Sequence, residues 1–485
     1  MVININKFIK KHKVIISILF LILIKEIFLA AIIPLWQNND EIEHFAYTYY
    51  LVEEGEMPVH TGGSHLIITP SQELAKANEL LQSDRISFGV FANNQIIHQD
   101  FQDTLNNEEF EIKTAGLSRK NQAEKYKNPT ANYAPLYYYL EAIPYKIFQN
   151  HSIITRAYAM RFFGILFLLI TILFSFKIAK LFFQGNAAPY TVALLIGFLP
   201  RLSFTSTGIN NDTLVIAIGT IAIYYLLSWL DKKINWQNII VLGLIFGVGL
   251  LSKPQFYIFF LFLLVFFIYR GVKNKKIFPH LWHLGFIFII ALIISSGWLW
   301  FSYDQLNHTP TGQIQGVLSP DNETIEGIGL AQTVKFVILR YLFLTSSYFH
   351  MTGCCHEINT PPLFQGLFFI ALGAGLFGFL LYLFEKKRVF KNFKTFFLLL
   401  IPLTLELAYL LIYLRQPLYT NGVDFPIDGR YLYPVISCLT IILIIGLFHI
   451  TPKKIHKAVL IALFSGLIII NTYHVIFEII PRYYL

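Results

Sequence analysis

The sequence predicts an all-α polytopic membrane protein of about eleven transmembrane helices, with a large extracytoplasmic loop after the first. Three observations carry this. Of 485 residues, 55% are hydrophobic and only 14% are charged, whereas soluble domains average about 25% charged; the mean hydropathy is +0.55. Apolar windows of roughly 17 to 25 residues recur along the chain, the length a helix needs to cross a hydrocarbon core. Lysine and arginine gather in alternate short loops between those windows, the charge asymmetry of a multi-pass protein. Topology therefore accounts for the net charge of +9, and no nucleic acid is called for.

The first window, 14–36, follows Lys7, Lys10, Lys11 and Lys13. It is longer than a signal-peptide core and has no small-residue cleavage site, so it reads as a retained span. Residues 37–155 form the large loop. Within it, Ser71 to Arg85 places Leu74, Ala77, Leu80 and Leu81 at helical spacing. Pro135 opens the run Leu136-Tyr137-Tyr138-Tyr139-Leu140, standing in the first turn where its missing N–H costs nothing. That run is too short to span and is expected along the membrane interface.

Windows at 157–183, 188–206, 212–230, 238–252, 254–270 and 279–302 supply the second to seventh helices, and 238–252 is short for a span. A second loop, 303–362, carries Val334 to Phe349 as an interfacial or re-entrant segment. Windows at 363–384, 395–414, 430–449 and 458–478 complete the set. Lys232 and Lys233, then Arg270, Lys273, Lys275 and Lys276, fall on the side of the N-terminus. So do Lys386, Lys387, Arg388, Lys391 and Lys394, and lastly Lys453, Lys454 and Lys457. That side is the cytoplasm, and the C-terminus is extracytoplasmic. The chain divides into 1–36, 37–155, 156–302, 303–362 and 363–485. Three cysteines, two of them adjacent, cannot form a disulfide framework.

The end of the first window runs into Gln37-Asn38-Asn39-Asp40-Glu41-Ile42-Glu43-His44. Ionisable groups at a bilayer boundary are costly to desolvate and are functional candidates by default. If 38–50 is helical, Asp40, Glu43, His44 and Tyr47 share one face through i+3 and i+4 spacing, with Glu41, Phe45 and Thr48 on the next. A carboxylate half-shielded from water here can act as a general base toward a hydroxyl. The plainer reading is a helix cap in a solvated interface.

Other segments on the same side offer partners. Asp212, in Asn210-Asn211-Asp212, is a second acid, a metal ligand or simply an N-cap. Lys253-Pro254 interrupts a continuous apolar stretch, where a lysine suits a phosphate unless it merely snorkels. Arg430, in Asp428-Gly429-Arg430-Tyr431-Leu432-Tyr433-Pro434, offers a fork for phosphate oxygens, or pairs with Asp428. Asn132-Tyr133-Ala134-Pro135-Leu136-Tyr137-Tyr138 supplies aromatic faces that pack on sugar rings, or an interfacial belt.

An acidic pair after the first span, a Pro-Leu-Tyr-Tyr helix, an Asn-Asp, a Lys-Pro and a Gly-Arg-Tyr-Leu-Tyr-Pro follow in this order. The order resembles the GT-C superfamily of integral-membrane glycosyltransferases, most nearly the bacterial predicted-membrane-protein family of unknown function 2142. Family 39 transferases are more distantly similar. The resemblance implies a sugar moved from a polyprenyl-phosphate-linked donor to an acceptor hydroxyl on a glycan, lipid or protein, in cell-envelope synthesis at the bacterial cytoplasmic membrane. It implies Asp40 or Glu41 as base with His44 beside them. Lys253 and Arg430 would hold the donor phosphate, and Asp212, Tyr137 and Tyr138 would help to bind substrate. A divalent ion on Asp40 and Asp212 would match some such enzymes; no cofactor is otherwise implied.

Two competitors stand beside this. Glu41-x-x-His44 is a single E-x-x-H where a di-iron bundle needs two. His350, Cys354, Cys355, His356 and Glu357 lack zinc-site spacing. A transporter or flippase of lipid-linked or envelope precursors is the alternative function, and it would place charges and broken helices near the midplane. Three such charges exist: Lys25, Glu26 and Glu406. Because consecutive residues point about 100° apart, Lys25 is expected to pair with Glu406 rather than with Glu26.

Overall fold

A computed structural model describes residues 5–38, 40–58, 71–81, 113–120, 129–184, 187–305, 360–385, 393–415 and 429–484. Among the described residues every regular element is helical. The helices are α1 (Ile5–Ile32), α2 (Glu41–Glu53), α3 (Gln72–Leu80), α4 (Leu136–Ile147), α5 (Ile153–Ala179), α6 (Ala188–Gly197), α7 (Pro200–Ser206) and α8 (Asp212–Trp229). They continue with α9 (Trp236–Leu250), α10 (Ile258–Lys273), α11 (Ile277–Gln305), α12 (Pro362–Phe384), α13 (Phe393–Arg415), α14 (Ile436–Ile450), α15 (His456–Tyr473) and α16 (Ile480–Tyr484). Short 3₁₀ segments at Pro254–Tyr257 and Gly429–Val435 lead into α10 and α14, and a π-helical turn, His474–Ile479, joins α15 to α16.

Each apolar window of the sequence coincides with helix. Among the described residues, eight helices are long and apolar enough to cross a membrane, and α6 and α9 are apolar but shorter. The window 188–206 is split because Pro200 cannot continue α6, so the chain breaks at Phe198–Leu199 and restarts as α7. α8 and the 429–450 segment are the most buried spans, whereas α11, α12 and the 453–479 segment leave most of their surface open. Core aromatics such as Phe246, Phe256, Phe259 and Phe262 fill the space between them. The segments at 82–112, 306–359 and 416–428 lie outside the described residues. With them go Arg85, Asp428, the Val334–Phe349 run, and the His350 to Glu357 cluster.

The break beneath α6 is where the intramembrane charges go. Lys25 Nζ lies 2.7 Å from Glu26 Oε1 and donates to the Gly197 carbonyl at 2.6 Å and to Ser203 Oγ at 2.5 Å. Asn471 Nδ2 donates to the Phe198 carbonyl at 2.7 Å. Carbonyls freed by a broken helix need such donors where water is scarce. The expected pairing of Lys25 with Glu406 is thus corrected. The flexible four-carbon stem of lysine folds back to its neighbour, and Glu406 sits half-buried on α13.

α12 and α14 touch backbone to backbone. A Cβ on Gly446 would stand 1.7 Å from the Gly375 carbonyl oxygen, and one on Gly378 would stand 2.2 Å from the Gly446 oxygen. Small residues allow this approach between apolar helices. Gly446→Val is expected to destabilise the protein by about 1–3 kcal/mol or more, read as a lower Tm in detergent. A silent Gly446→Val would mean the two helices are not in contact there.

Outside the spans, α2, α3 and α4 pack on the start of α5 through a buried arginine. Arg156 meets Glu73 Oε1 at 2.5 Å, the Tyr145 hydroxyl, and Glu53 Oε1 at 3.8 Å. Ser71 caps α3, accepting from the Leu74 N–H at 3.2 Å. The loop helices are therefore held by ion pairs as well as by apolar contact.

Candidate functional site

Asp40 precedes α2 with φ 54° and ψ 16°, the left-handed region that costs a side-chain-bearing residue energy. What holds it there is its neighbour. Glu41 is fully buried and forms a two-pronged pair with Arg161 of α5, Oε1 to Nε and Oε2 to Nη2, both at 2.6 Å. Glu41 also accepts the N–H of Trp36 at 3.0 Å and of Ile209 at 3.1 Å. Arg161, equally buried, donates onward to the carbonyls of Ala30, Ile33 and Pro34. One ion pair thus ties together the end of α1, the start of α2, α5 and the turn before α8.

That clamp brings Asp40 and Asp212 to the same guanidinium. Arg430 Nη2 donates to Asp40 Oδ2 at 3.0 Å, and its Nε lies 3.3 Å from Asp212 Oδ2. Asp212 Oδ1 accepts from Lys253 Nζ. Lys253 is placed by Pro254, which ends α9 and starts the 3₁₀ turn, while Arg430 rides on the 3₁₀ turn packed against α8. Four residues from four elements therefore form a cluster with two positive and two negative charges. Only Asp40 is open: 49% of its side-chain surface is exposed, against 3% for Asp212, 5% for Lys253 and 9% for Arg430.

The rings complete the enclosure. Lys253 Nζ lies 4.9 Å from the Tyr133 ring centre and 5.6 Å from that of Tyr431, and Arg430 is 5.4 Å above Tyr431. Tyr133 and Tyr431 are half-buried. His44 stacks on Tyr133 and is hydrogen-bonded through Nδ1 to the Tyr138 hydroxyl at 2.9 Å.

Tyr137 and Tyr138 are fully buried, and Tyr138 lies flat on Tyr47 at 3.6 Å. Neither can present its face to a sugar ring, so the expectation that they bind substrate directly is corrected. Their place is behind His44, as its support. Glu41 is corrected likewise: with every oxygen engaged in the clamp, it faces no acceptor.

Electrostatics separate the acids. Burial works to raise the Asp40 carboxyl, but the charge and hydrogen bond of Arg430, with the charge of Lys253, outweigh it and hold the group below its usual range. Glu43, one helical turn on, is pushed up to about 8 by burial and by the Asp40 charge. Burial above all pushes His44 down to about 3, against the pull of Asp40, so the imidazole is neutral at physiological pH.

For Glu43 the sign follows directly. A raised acid keeps its proton in the folded state while the unfolded chain loses it, so this group lowers stability as pH rises from about 4.5 to about 8. Glu43→Gln is expected to flatten that part of the Tm-against-pH curve. An unchanged slope would show that Glu43 ionises normally.

The donor set does not suit a divalent ion on Asp40 and Asp212. Both Asp212 oxygens and one of Asp40 already face cationic nitrogens. Among the described residues no three His, Cys, Asp or Glu side chains converge. Positive charge at this site comes from Lys253 and Arg430.

The residue that reading by motif missed is Arg161. Its signal was present: an arginine inside the 157–183 apolar window, eight residues beyond the start of α5, a position that is functional or paired by default. Arg156, in the first turn of α5, stands just ahead of that window.

A family model described as "Predicted membrane protein (DUF2142)" matches residues 23–439 of the chain. No curated protein matches it. Among solved structures, the chain is similar to ArnT from Cupriavidus metallidurans bound to undecaprenyl phosphate. The identity is 13% over 72% of this chain and 63% of that one, with a TM-score of 0.39. It is also similar to the oligosaccharyltransferase of Archaeoglobus fulgidus in complex with zinc and sulfate. There the identity is 15% over 73% of this chain and 44% of that one, with a TM-score of 0.36. The chain therefore spans less than two thirds of the length of either.

Proposed function

We propose that this chain, which belongs to the DUF2142 family of predicted membrane proteins, is a membrane glycosyltransferase. It moves a sugar from a polyprenyl-phosphate donor to an acceptor hydroxyl. The observation that carries the reading is the charge-balanced cluster of Asp40, Asp212, Lys253 and Arg430, with Asp40 alone open. The order of sequence motifs that resembles GT-C transferases contributes these same residues.

The chemistry assigns a role to each. The acceptor hydroxyl gives its proton to Asp40 as its oxygen bonds to the anomeric carbon. The bond from that carbon to the phosphate oxygen breaks, and its electron pair leaves with the lipid phosphate. Lys253 and Arg430 meet the growing negative charge with dipoles already in place, which is a large term in a site shielded from water. Asp212 keeps Lys253 oriented between turnovers, and Tyr133 and Tyr431 hold its ammonium by cation–π contact. His44, neutral, braces the first turn of α2, which Asp40 precedes. The basic loops favour an extracytoplasmic site, where an activated sugar would have to be carried by a lipid.

Arg430→Lys tests the phosphate role, because it keeps the charge and removes the planar fork. Binding of a polyprenyl-phosphate sugar is expected to weaken by about tenfold or more, consistent with loss of one charge-assisted hydrogen bond. Affinity equal to that of the native protein would remove Arg430 from the donor site.

A further inference from the structure

The cluster of Asp40 and Arg430 lies at one end of the spans, and a second polar cavity lies at the other. α8 begins at Asp212 and ends just before Asp231, and the 3₁₀ turn that carries Arg430 leads through α14 to His449. Asp231 and His449 line a cavity of about 380 Å³ together with Lys394, Thr395, Leu181 and Phe448. The 18 residues of α8 cover about 27 Å at 1.5 Å each. The two sites therefore stand roughly one hydrocarbon core apart.

The acids at this end already have partners. Asp231 Oδ1 accepts from Lys273 Nζ at 2.6 Å, and Glu385 Oε2 lies 3.2 Å from His449 Nε2. The donors do not. Among the described residues the Lys394 ammonium and the Thr395 hydroxyl make no hydrogen bond or ion pair, although Thr395 is only 2% exposed. Lys232 and Lys233, directly after Asp231, are exposed and add positive charge. What the cavity offers is donors, and an ammonium beside a buried hydroxyl suits an anion.

The rest of the wall is apolar. Leu181 is half-buried, and the Phe448 ring is held flat against His456 at 4.0 Å. Phe384, 75% exposed at the end of α12 next to Glu385, belongs to a surface made for hydrocarbon. A ligand for this place needs a negative head and an apolar body. At about 380 Å³ the cavity sits near the lower end of the roughly 300–1,000 Å³ usual for ligand sites, enough for a headgroup.

We propose that this cavity binds the headgroup of an anionic phospholipid, its phosphate on Lys394 and Thr395 and its chains on the apolar surface of α12. Basic pockets between helices at a lysine-rich membrane face are where such lipids are recognised. Bound there, the lipid joins α12, α13 and α14 at the end remote from the charged cluster. The site is independent of whether the chain transfers sugar.

Native mass spectrometry of the full chain, released from phosphatidylcholine nanodiscs doped with phosphatidylglycerol, tests this. Phosphatidylglycerol should be retained in preference to phosphatidylcholine, and Lys394→Gln should weaken its retention by about fivefold or more. Lys453→Gln removes an exposed lysine at the same end that does not line the cavity, and should leave retention unchanged. Retention unaffected by Lys394→Gln overturns the proposal, as do equal losses in the two variants, which would make the attraction diffuse. Inorganic phosphate at millimolar concentration should leave the lipid in place. If it displaces the lipid, the cavity takes a soluble phosphate and the proposal fails.

Discussion

Asp40→Asn should reduce turnover by at least about 10²-fold with membrane insertion and Tm intact, the range expected when a general base is removed. Asparagine is isosteric, and its side-chain oxygen can still accept from Arg430, so the fold has little reason to respond. What it cannot do is take a proton. The expected signature is a fall in kcat with donor KM changed only a few-fold, because the phosphate ligands Lys253 and Arg430 are untouched. Glu41→Gln does not substitute for this experiment, since Glu41 is occupied by Arg161 and would report on folding. Near-native turnover in Asp40→Asn would take the base role away from the only open carboxylate of the cluster.

Loss of the clamp should be the most damaging change to stability. Arg161→Met leaves Glu41 as an uncompensated buried carboxylate and strands three carbonyls at the end of α1, at a cost of about 3–5 kcal/mol. Glu41→Gln leaves the guanidinium charge unbalanced at similar cost. The double variant should recover part of the loss, because neither charge then remains alone, and the cycle measures the coupling. Thermal unfolding in detergent, with far-UV circular dichroism as the readout, gives all four corners. Strict additivity of the two losses would show that the pair does not form. If any single variant folds, its Asp40 should be mispositioned, since the left-handed backbone at Asp40 is imposed by the clamp.

The helices were legible because hydrophobic length is a property of the local chain. Each apolar window became helix; Pro254 marked its break in advance, whereas Pro200 split a window that had read as continuous. The residue types of the site were legible too, since Asp40, Asp212, Lys253 and Arg430 all sit at span boundaries where a charge needs a reason. Their grouping followed from topology.

What stayed hidden depends on long-range partners. Nothing local distinguishes Asp40 from Glu41; the distinction is made by Arg161, 120 residues away. Tyr137 and Tyr138 read as exposed aromatics because their burial depends on α2 and α5 packing over them. Lys25 was assigned a distant partner on the geometry of Cβ directions, but a long side chain is not bound by them. The helix break at Gly197 offered it acceptors close at hand.

The measurement that bears most directly on the reading is the fate of the sugar–phosphate bond in proteoliposomes. Purified native protein and Asp40→Asn are reconstituted with lipid-linked sugars extracted from the host's own membranes, together with a membrane acceptor fraction, and the products are followed by mass spectrometry. The transferase reading predicts free polyprenyl phosphate and a glycosylated acceptor with the native protein, and neither above background with Asp40→Asn. Lipid-linked sugar that crosses the bilayer intact with both proteins, its bond to phosphate unbroken, would contradict it and make the chain a transporter.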